Sequence, residues 1–583
     1  MARTEFVSLP SMELARSREK KSAILQADLS VPPVVASYGK GRKYLIKTFG
    51  CQGNVRDEEV LGGYLELAGM SKAESEAEAD VVIINTCAVR ENAEEKVYGE
   101  IGKYKAKHYK DPEHFILGVC GCMMQEEGVA TKIMKSYPYV NLIFGTHNIQ
   151  DILKLIDAHL RKQKDLVSIV SGEGDVFENL PSTRLDNIKA YVNISYGCDK
   201  FCTYCIVPYT RGRERSRPLE QIVGECQKLV DEGFQEITLL GENVNSYGKD
   251  FKDGTNFAIC LSKVAETGIP RLRFMTSHPW DFSSEMFDVI AKYPNIMHCI
   301  HLPLQSGNNE ILRAMGRRYT REEYLSLVKE IREKIPGCAI TTDIIVGFPN
   351  ETEEQFLDTL SLCQEVKYDA AFTFIYSPRK GTPAAKMKDN VTDADKHERF
   401  NRLLKVIEEG VVSHSSAMVG KTYDVLVDGP SKKDPTMLSG YTELGKLINF
   451  AGPASLKGLI VPVRILEDHA FSMIGELTKD PLLIFGDNLA KNMKEEASSK
   501  RYFEAKESFD NDASLQTLRD EIEDAQKRMM SFANQQKDEE YRKAKRDYEE
   551  LLKRYKEHPV YLNLEGAEKE LSGLLKQISE ELQ

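Results

Sequence analysis

Three cysteines fall within eight residues, Cys198, Cys202 and Cys205 of Gly-Cys-Asp-Lys-Phe-Cys-Thr-Tyr-Cys, directly after an extended run at 190–195. This pattern constrains the fold more than any other feature. A loop with three thiolates at Cys-x3-Cys-x2-Cys can hold three irons of a cubic iron–sulfur cluster. No fourth cysteine lies close by in the sequence, which leaves the fourth iron open to a small molecule. Structural zinc, the competing reading, wants a fourth close ligand. The first residues lack the apolar core of a signal peptide. No apolar run approaches the roughly 20 residues of a spanning helix. The expectation is a cytoplasmic chain with no membrane segment, in which 12 cysteines speak for metal or catalysis rather than disulfides.

At 583 residues the chain exceeds a single core. Residues 1–41 are polar at the start, contain Pro32-Pro33 and read as a flexible N-terminal arm. Residues 42–160 alternate strands (43–48, 81–84, 115–119) with helical patterns such as 57–68, which predicts an α/β domain on a parallel sheet. Residues 161–187 read as a connector. Residues 188–415 alternate again through strands at 190–195, 236–240, 271–274, 298–302, 339–346 and 371–376. Six βα units predict a partial (β/α)6 barrel with reactive groups at the strand C-terminal ends. Residues 416–479 show short strands broken by Gly and Pro, a small β-barrel. Residues 480–583 read as all-α. Leu515, Leu518, Ile522, Ala525, Met529 and Phe532 form one coiled-coil-like seam, and Tyr541, Ala544, Tyr548, Leu551 and Tyr555 a second. Pro559 ends that helix, and a shorter one runs from about Glu565 to Glu581. The fold class is α/β multidomain.

The net charge of −12 looks wrong for a nucleic-acid partner. Residues 481–583 hold 18 Lys plus Arg against 23 Asp plus Glu, leaving −7 for residues 1–480. Within that acidic average sit Arg211, Arg213, Arg215 and Arg217. At alternating positions of an extended segment they would share one face and grip RNA phosphates; the alternative is a solvated loop with internal ion pairs. In the first α/β domain Cys51 and Cys87 each follow a strand, and Cys120 and Cys122 end a third. Strand C-termini of a parallel sheet converge on one edge, so three thiols could meet there; unrelated core cysteines are the alternative.

With Tyr204 between the second and third cysteines, the triad resembles the radical S-adenosylmethionine (SAM) superfamily. The resemblance implies that the open iron chelates SAM and that an electron cleaves SAM to a 5′-deoxyadenosyl radical. Gly241, Glu242 and Asn243 after the second barrel strand, Gln305 and Ser306 after the fourth, and Asp343 in the fifth then lie where SAM would run along the barrel top. The domain order is similar to that of the methylthiotransferases, in which Cys51, Cys87 and Cys122 would bind an auxiliary 4Fe-4S cluster. Cys122 is preferred to Cys120 because Gly-Cys-Met-x-Gln matches the family pattern. Asn85-Thr86-Cys87-Ala88-Val89-Arg90-Glu91-Asn92 and Val207-Pro208-Tyr209-Thr210-Arg211-Gly212-Arg213 resemble the MiaB-like branch. The resemblance spans roughly 42–479.

It implies two 4Fe-4S clusters and SAM, used both as radical source and methyl donor. It implies methylthiolation of C2 of N6-isopentenyladenosine at position 37 of tRNA, with a low-potential donor of flavodoxin or ferredoxin type. Sister substrates, threonylcarbamoyladenosine tRNA or a ribosomal protein, are the near alternatives. A cluster-bearing regulatory scaffold is the distant one. Two positions depart from the family: Glu242, commonly Gln, and Tyr441, usually Arg, in a small barrel that resembles the RNA-binding TRAM module. Residues 421–480 carry 7 Lys plus Arg against 8 Asp plus Glu, a weak balance for holding phosphates. Residues 481–583 resemble the YlbF/YmcA-type helical family, which implies a protein partner or self-association.

Overall fold

The computed structural model describes residues 12–17, 22–88, 91–126, 128–162, 166–170, 174–469 and 471–581. The chain divides into two compact units, Met1–Thr478 and Lys479–Gln583. Val89 and Arg90, part of the family text, lie outside the described residues, as do 1–11 and 18–21 of the expected arm.

In the first unit Val81–Thr86 and Ile116–Gly121 are buried at every position. Helices cover both faces, which is why these strands read as unbroken apolar runs. They centre a six-stranded parallel sheet in the order Ser71–Lys72, Lys43–Phe49, Val81–Thr86, Ile116–Gly121, Leu142–Phe144 and Leu166–Ser168. The last strand corrects the expected domain end at 160. The arm is corrected too. Ile24–Gln26 pairs in parallel with Val176–Glu178, and the helix Pro33–Gly39 buries Val35 against the sheet domain.

The second series forms six parallel strands: Lys189–Asn193, Glu236–Leu240, Arg271–Phe274, Cys299–His301, Ala339–Val346 and Ala370–Ile375. They pair as two three-stranded halves joined by a bridge between Leu272 and Ile296, a barrel left open on one side among the described residues. A closed five-stranded barrel follows. It docks on the end where the large barrel's strands begin. Arg271, the first residue of the third strand, donates to the carbonyls of Tyr441 and Asp424, both at 2.5 Å. Lys189, the first residue of the first strand, pairs with Asp428 at 2.6 Å and lies over the Tyr441 ring at 5.0 Å. The small barrel thus sits at the end opposite the cysteine loop, and Tyr441 is spent on this contact.

A network of ion pairs fastens the sheet domain to the large barrel. Arg56 and Glu59 come from the helix Gln52–Leu67, Glu178 and Arg184 from the connector, Arg217 and Glu225 from the barrel. Arg56 reaches Glu59 and Glu225, both at 3.1 Å; Arg184 reaches Glu59 at 2.8 Å and Glu225 at 2.9 Å. Arg217 reaches Glu178 at 2.6 Å and Glu225 at 2.8 Å. Burial disfavours the Glu225 carboxylate, but Arg217, Arg56 and Arg184 outweigh it and hold its pKa down at about 2.

Among the described residues the second unit contains five helices where three were expected: Pro481–Glu495, Ala497–Asn511, Ala513–Asn534, Asp538–Lys556 and Pro559–Glu581. Asp480, Glu496 and Asp512 cap the first three by accepting from backbone N–H groups. The helix Ala513–Asn534 buries Leu515, Leu518 and Ala525, and the helix Asp538–Lys556 buries Ala544, as the two seams predicted. Pro559 begins the last helix rather than merely ending the one before, consistent with proline's preference for the first helical turn. Among the described residues no helix is long and apolar enough to cross a membrane.

A depressed carboxylate pKa contributes stability that is present above the unfolded value and lost as pH falls through the folded one. Glu225→Gln is therefore expected to lower unfolding free energy at neutral pH by about 3 kcal/mol. It should also flatten the acid limb between the ordinary Glu value of 4.5 and about 2. Denaturant titrations across that range check both effects; an unchanged acid limb would contradict the assignment.

Candidate functional site

The sheet domain brings three thiols to one edge by a polar interlock. Cys51 lies just past the strand Lys43–Phe49 and is the N-cap of the helix Gln52–Leu67, which therefore starts earlier than its apolar pattern indicated. Asn54 on that helix donates to the Thr86 carbonyl at 3.1 Å, and Asn85 donates back to the Asn54 carbonyl at 2.8 Å. This ties Cys51 to the strand end that carries Cys87. Gly121 then turns the third strand end with φ +101°. A Cβ there would stand 2.3 Å from the Thr86 oxygen. The turn aims Cys122 at the site, whereas Cys120 is sealed in the core beneath, among Val81, Ile83, Ile116 and Phe144. The Cys51 thiol is hydrogen-bonded to Cys87, which with burial raises its pKa. Asn54 and Asn85 were not singled out from the sequence; their signal was the amide beside each cysteine.

In the barrel, the triad loop leaves Ser195–Tyr196, which pairs antiparallel with Arg215–Ser216. Gly197, at φ +73°, allows a close approach: a Cβ would meet the Arg213 oxygen at 2.2 Å. Cys198 and Cys202 are buried and Cys205 is half-buried. Thr203 fixes the loop from outside, donating to Met315 and Ala314 carbonyls at 2.9 and 2.8 Å and accepting from Ala384 N–H at 2.9 Å. Burial pushes the thiols of Cys205 and Cys122 up to about 12. Sulfur held this way ionises when a metal binds and displaces the proton.

The two cysteine trios face each other. Cys122 and Ala88 share one apolar cluster with Phe201, Ile206 and Tyr209 of the triad loop. Arg211, just beyond, donates from Nε to Cys122 Sγ at 3.1 Å and from Nη2 to Asp57 at 3.0 Å, and lies 3.3 Å from Glu242. The expectation of an RNA-facing arginine stripe is corrected here. Arg213 pairs with Asp199 at 2.6 Å, Arg215 donates to the carbonyls of Arg211 and Arg213, and Arg217 belongs to the domain network. Only Arg215–Ser216 is strand, and the guanidiniums of Arg211, Arg215 and Arg217 are buried.

At the barrel top, Asn243 donates to Asp281 at 2.5 Å while its Oδ1 is buried without a partner. Ser195 Oγ and Gln305 Oε1 are likewise buried and unpartnered. Gln305 has a left-handed backbone, φ +69°, with its N–H bonded to the Asp343 carbonyl at 2.8 Å. Asp343 meets His301 Nε2 at 3.2 Å on the strand face. A Cβ on Gly241 would stand 2.5 Å from Ser195 Oγ, so that glycine leaves the hydroxyl its room. Ser306 and Tyr204 are placed differently: Ser306 is sealed against Thr359, and Tyr204 packs outside the loop against the cluster of Met315, Phe348 and Tyr376. Lys200 of the triad loop pairs with buried Asp281, which sequence reasoning missed.

These residues fit the groups that the sequence implied. Among the described residues no set of His, Cys, Asp or Glu closes to the spacing of a single metal ion. A cubane instead takes each thiolate on a separate iron. The orphaned Ser195, Asn243 and Gln305 atoms need polar partners of the kind a SAM molecule carries. The site defines the class, and residues 192–363 match the Radical SAM superfamily. Residues 43–145 match the uncharacterized protein family UPF0004, 416–478 the TRAM domain, and 486–583 the family described as control of competence regulator ComK, YlbF/YmcA.

The chain is 50% identical over 480 residues to the tRNA-2-methylthio-N(6)-dimethylallyladenosine synthase of Anoxybacillus flavithermus, covering 82% of this chain and 91% of that one. It is 50% identical over 475 residues to the synthase of that name from Bacillus subtilis, covering 81% and 93%. The chain belongs to this family of radical SAM tRNA methylthiotransferases. Among solved structures, the radical S-adenosylmethionine methyltransferase TsrM from Kitasatospora setae aligns at TM-score 0.44 and 14% identity, over 59% of this chain and 74% of that one, too distant to carry an argument.

Gly121→Ala places a Cβ against backbone in a left-handed conformation and is expected to cost more than about 2 kcal/mol. Gly99→Ala, on a helix with nothing within 4 Å of the new Cβ, should stabilise by about 0.5–1 kcal/mol. Guanidinium unfolding of both variants checks the opposite signs.

Proposed function

We propose that the protein converts N6-isopentenyladenosine at position 37 of tRNA into its 2-methylthio derivative, as a cytoplasmic enzyme served by a low-potential electron donor. The observation that carries this reading is the opposition of two cysteine trios, Cys198, Cys202 and Cys205 across from Cys51, Cys87 and Cys122, inside a chain of this family. With 4Fe-4S clusters on both trios and SAM at the barrel top, the bound groups supply a hydrogen-abstracting radical, a sulfur atom and a methyl group.

The chain's own residues hold and orient. Each trio offers three thiols and no fourth. Ser195, Asn243 and Gln305 present unpartnered atoms for the polar parts of SAM, and Asp343 lines the same face. Phe201, Ile206 and Tyr209 form an apolar wall between the trios that excludes water from a reactive radical. No side-chain base is required, because the carbon to be modified is not acidic.

The tail acts through protein contacts rather than chemistry: it contains no cysteine and exposes Leu489, Phe503, Met530 and Leu562. Deleting residues 479–583 is expected to leave nucleoside modification by purified enzyme within about twofold. Loss of modification would place the tail in the enzyme proper.

Mass spectrometry of tRNA nucleosides from cells lacking the gene tests the main reading. The 2-methylthio nucleoside should vanish and N6-isopentenyladenosine accumulate. The wild-type gene should restore the product, and Cys202→Ala should not. Persistence of the product at normal levels with no paralogue present would overturn it. In the isolated protein, Cys122→Ser should lose the iron of one cluster, whereas Cys120→Ser should keep both; iron and sulfide assays distinguish the two ligand assignments.

A further inference from the structure

The stretch 211–217 yields one residue whose surroundings match neither RNA contact nor simple domain packing. Arg211 comes from the barrel, yet its Nε donates to Cys122 Sγ at 3.1 Å and its Nη2 to Asp57 at 3.0 Å, both on the sheet domain. Glu242 of the barrel lies 3.3 Å from the same Nε. A Cβ built on Gly53 would be 3.4 Å from Arg211 Nη2 and 3.5 Å from Cys51 Sγ, so the guanidinium and Cys51 flank the same glycine. Arg215 Nη2 donates to the Arg211 carbonyl at 3.3 Å and steadies its backbone. The side chain is buried, with a carboxylate from each domain on its edges.

We propose that Arg211 is a positioning residue for the auxiliary cluster: it fixes the Cys122 thiolate as a ligand and, with Glu242, sets the charge felt by that cluster from the barrel side. The inference rests on the reading of Cys51, Cys87 and Cys122 as cluster ligands. Arginine suits the task because its planar, permanently charged fork can donate to sulfur and carboxylate at once, which a lysine point charge does less well. Hydrogen bonds to ligand sulfur stabilise the more negative, reduced cluster and so raise its potential. A carboxylate at the same place acts the other way.

The test uses the full chain with Cys198, Cys202 and Cys205 all replaced by alanine and reconstituted anaerobically, so that one cluster remains. Iron content, the rate of iron loss to a chelator and the midpoint potential by EPR-monitored titration are measured. They are compared among this parent and its Arg211→Gln, Arg211→Lys and Glu242→Gln derivatives. Arg211→Gln should shift the potential downward and speed iron loss about tenfold. Arg211→Lys should fall between it and the parent, and Glu242→Gln should shift the potential upward. A loaded parent whose Arg211→Gln derivative matches it in potential and iron loss overturns the proposal while leaving the auxiliary cluster intact. A parent that takes up no cluster overturns both. If Arg211→Gln does not fold, unchanged potentials in Arg211→Lys and Glu242→Gln overturn it equally.

Discussion

The facing of the two cysteine trios depends on the charged network that joins the sheet domain to the large barrel. Three guanidiniums, Arg56, Arg184 and Arg217, alternate with three carboxylates, Glu59, Glu178 and Glu225, drawn from the helix Gln52–Leu67, the connector and the barrel. An apolar interface of the same size could bind as tightly and tolerate a shift of a few ångströms. A buried ionic one cannot, because a displaced guanidinium is left without a partner at a cost of several kcal/mol. The network therefore serves as a register device, and the register it sets puts Cys122 beside Ile206 and Tyr209.

Within that register, each trio is shaped by backbone that most residues would refuse. Gly121 and Gly197 occupy left-handed conformations with no room for a Cβ. Phe201, Thr276 and Gln305, none of them glycine, also have positive φ, and all three lie on loops at the C-terminal ends of barrel strands. Strain of about 1–3 kcal/mol at each persists only where the surroundings over-determine it. Asn54 and Asn85 on the sheet side, and Thr203 with its three backbone partners on the barrel side, supply that determination.

What could be read from the chain divides by the range of the interaction. Strand periodicity located both parallel series, and the triad spacing singled out one loop after the first barrel strand, because both are local patterns. Parallel strands must end on one edge, so the sequence showed that three thiols could meet there; the choice of Cys122 over Cys120 came from the family text Gly-Cys-Met-x-Gln. Arg211–Arg217 misled because alternation along a segment says nothing of the carboxylates waiting on other domains. Glu178 and Arg184 looked like connector polarity for the same reason. Short strands such as Leu166–Ser168 and Ile24–Gln26 carry too few residues for a period to show. In the tail, the apolar seams marked the helices Ala513–Asn534 and Asp538–Lys556, but Pro481–Glu495 and Ala497–Asn511 showed no such seam and their caps, Asp480 and Glu496, went unread.

The fate of the arginines also bears on how an acidic chain holds a polyanion. Phosphate contacts need exposed cations, and affinity falls with salt in proportion to their number. The buried guanidiniums of Arg211, Arg215 and Arg217 are consumed inside the protein. The small barrel is nearly charge-balanced and sits at the far end from the triad. Exposed cations do occur on the two segments that bind Thr203 of the triad loop, Arg313 and Arg318 on one, Lys380, Lys386 and Lys388 on the other. These exposed cations, and not the stretch from Arg211 to Arg217, are the ones beside the triad loop that remain available to phosphates.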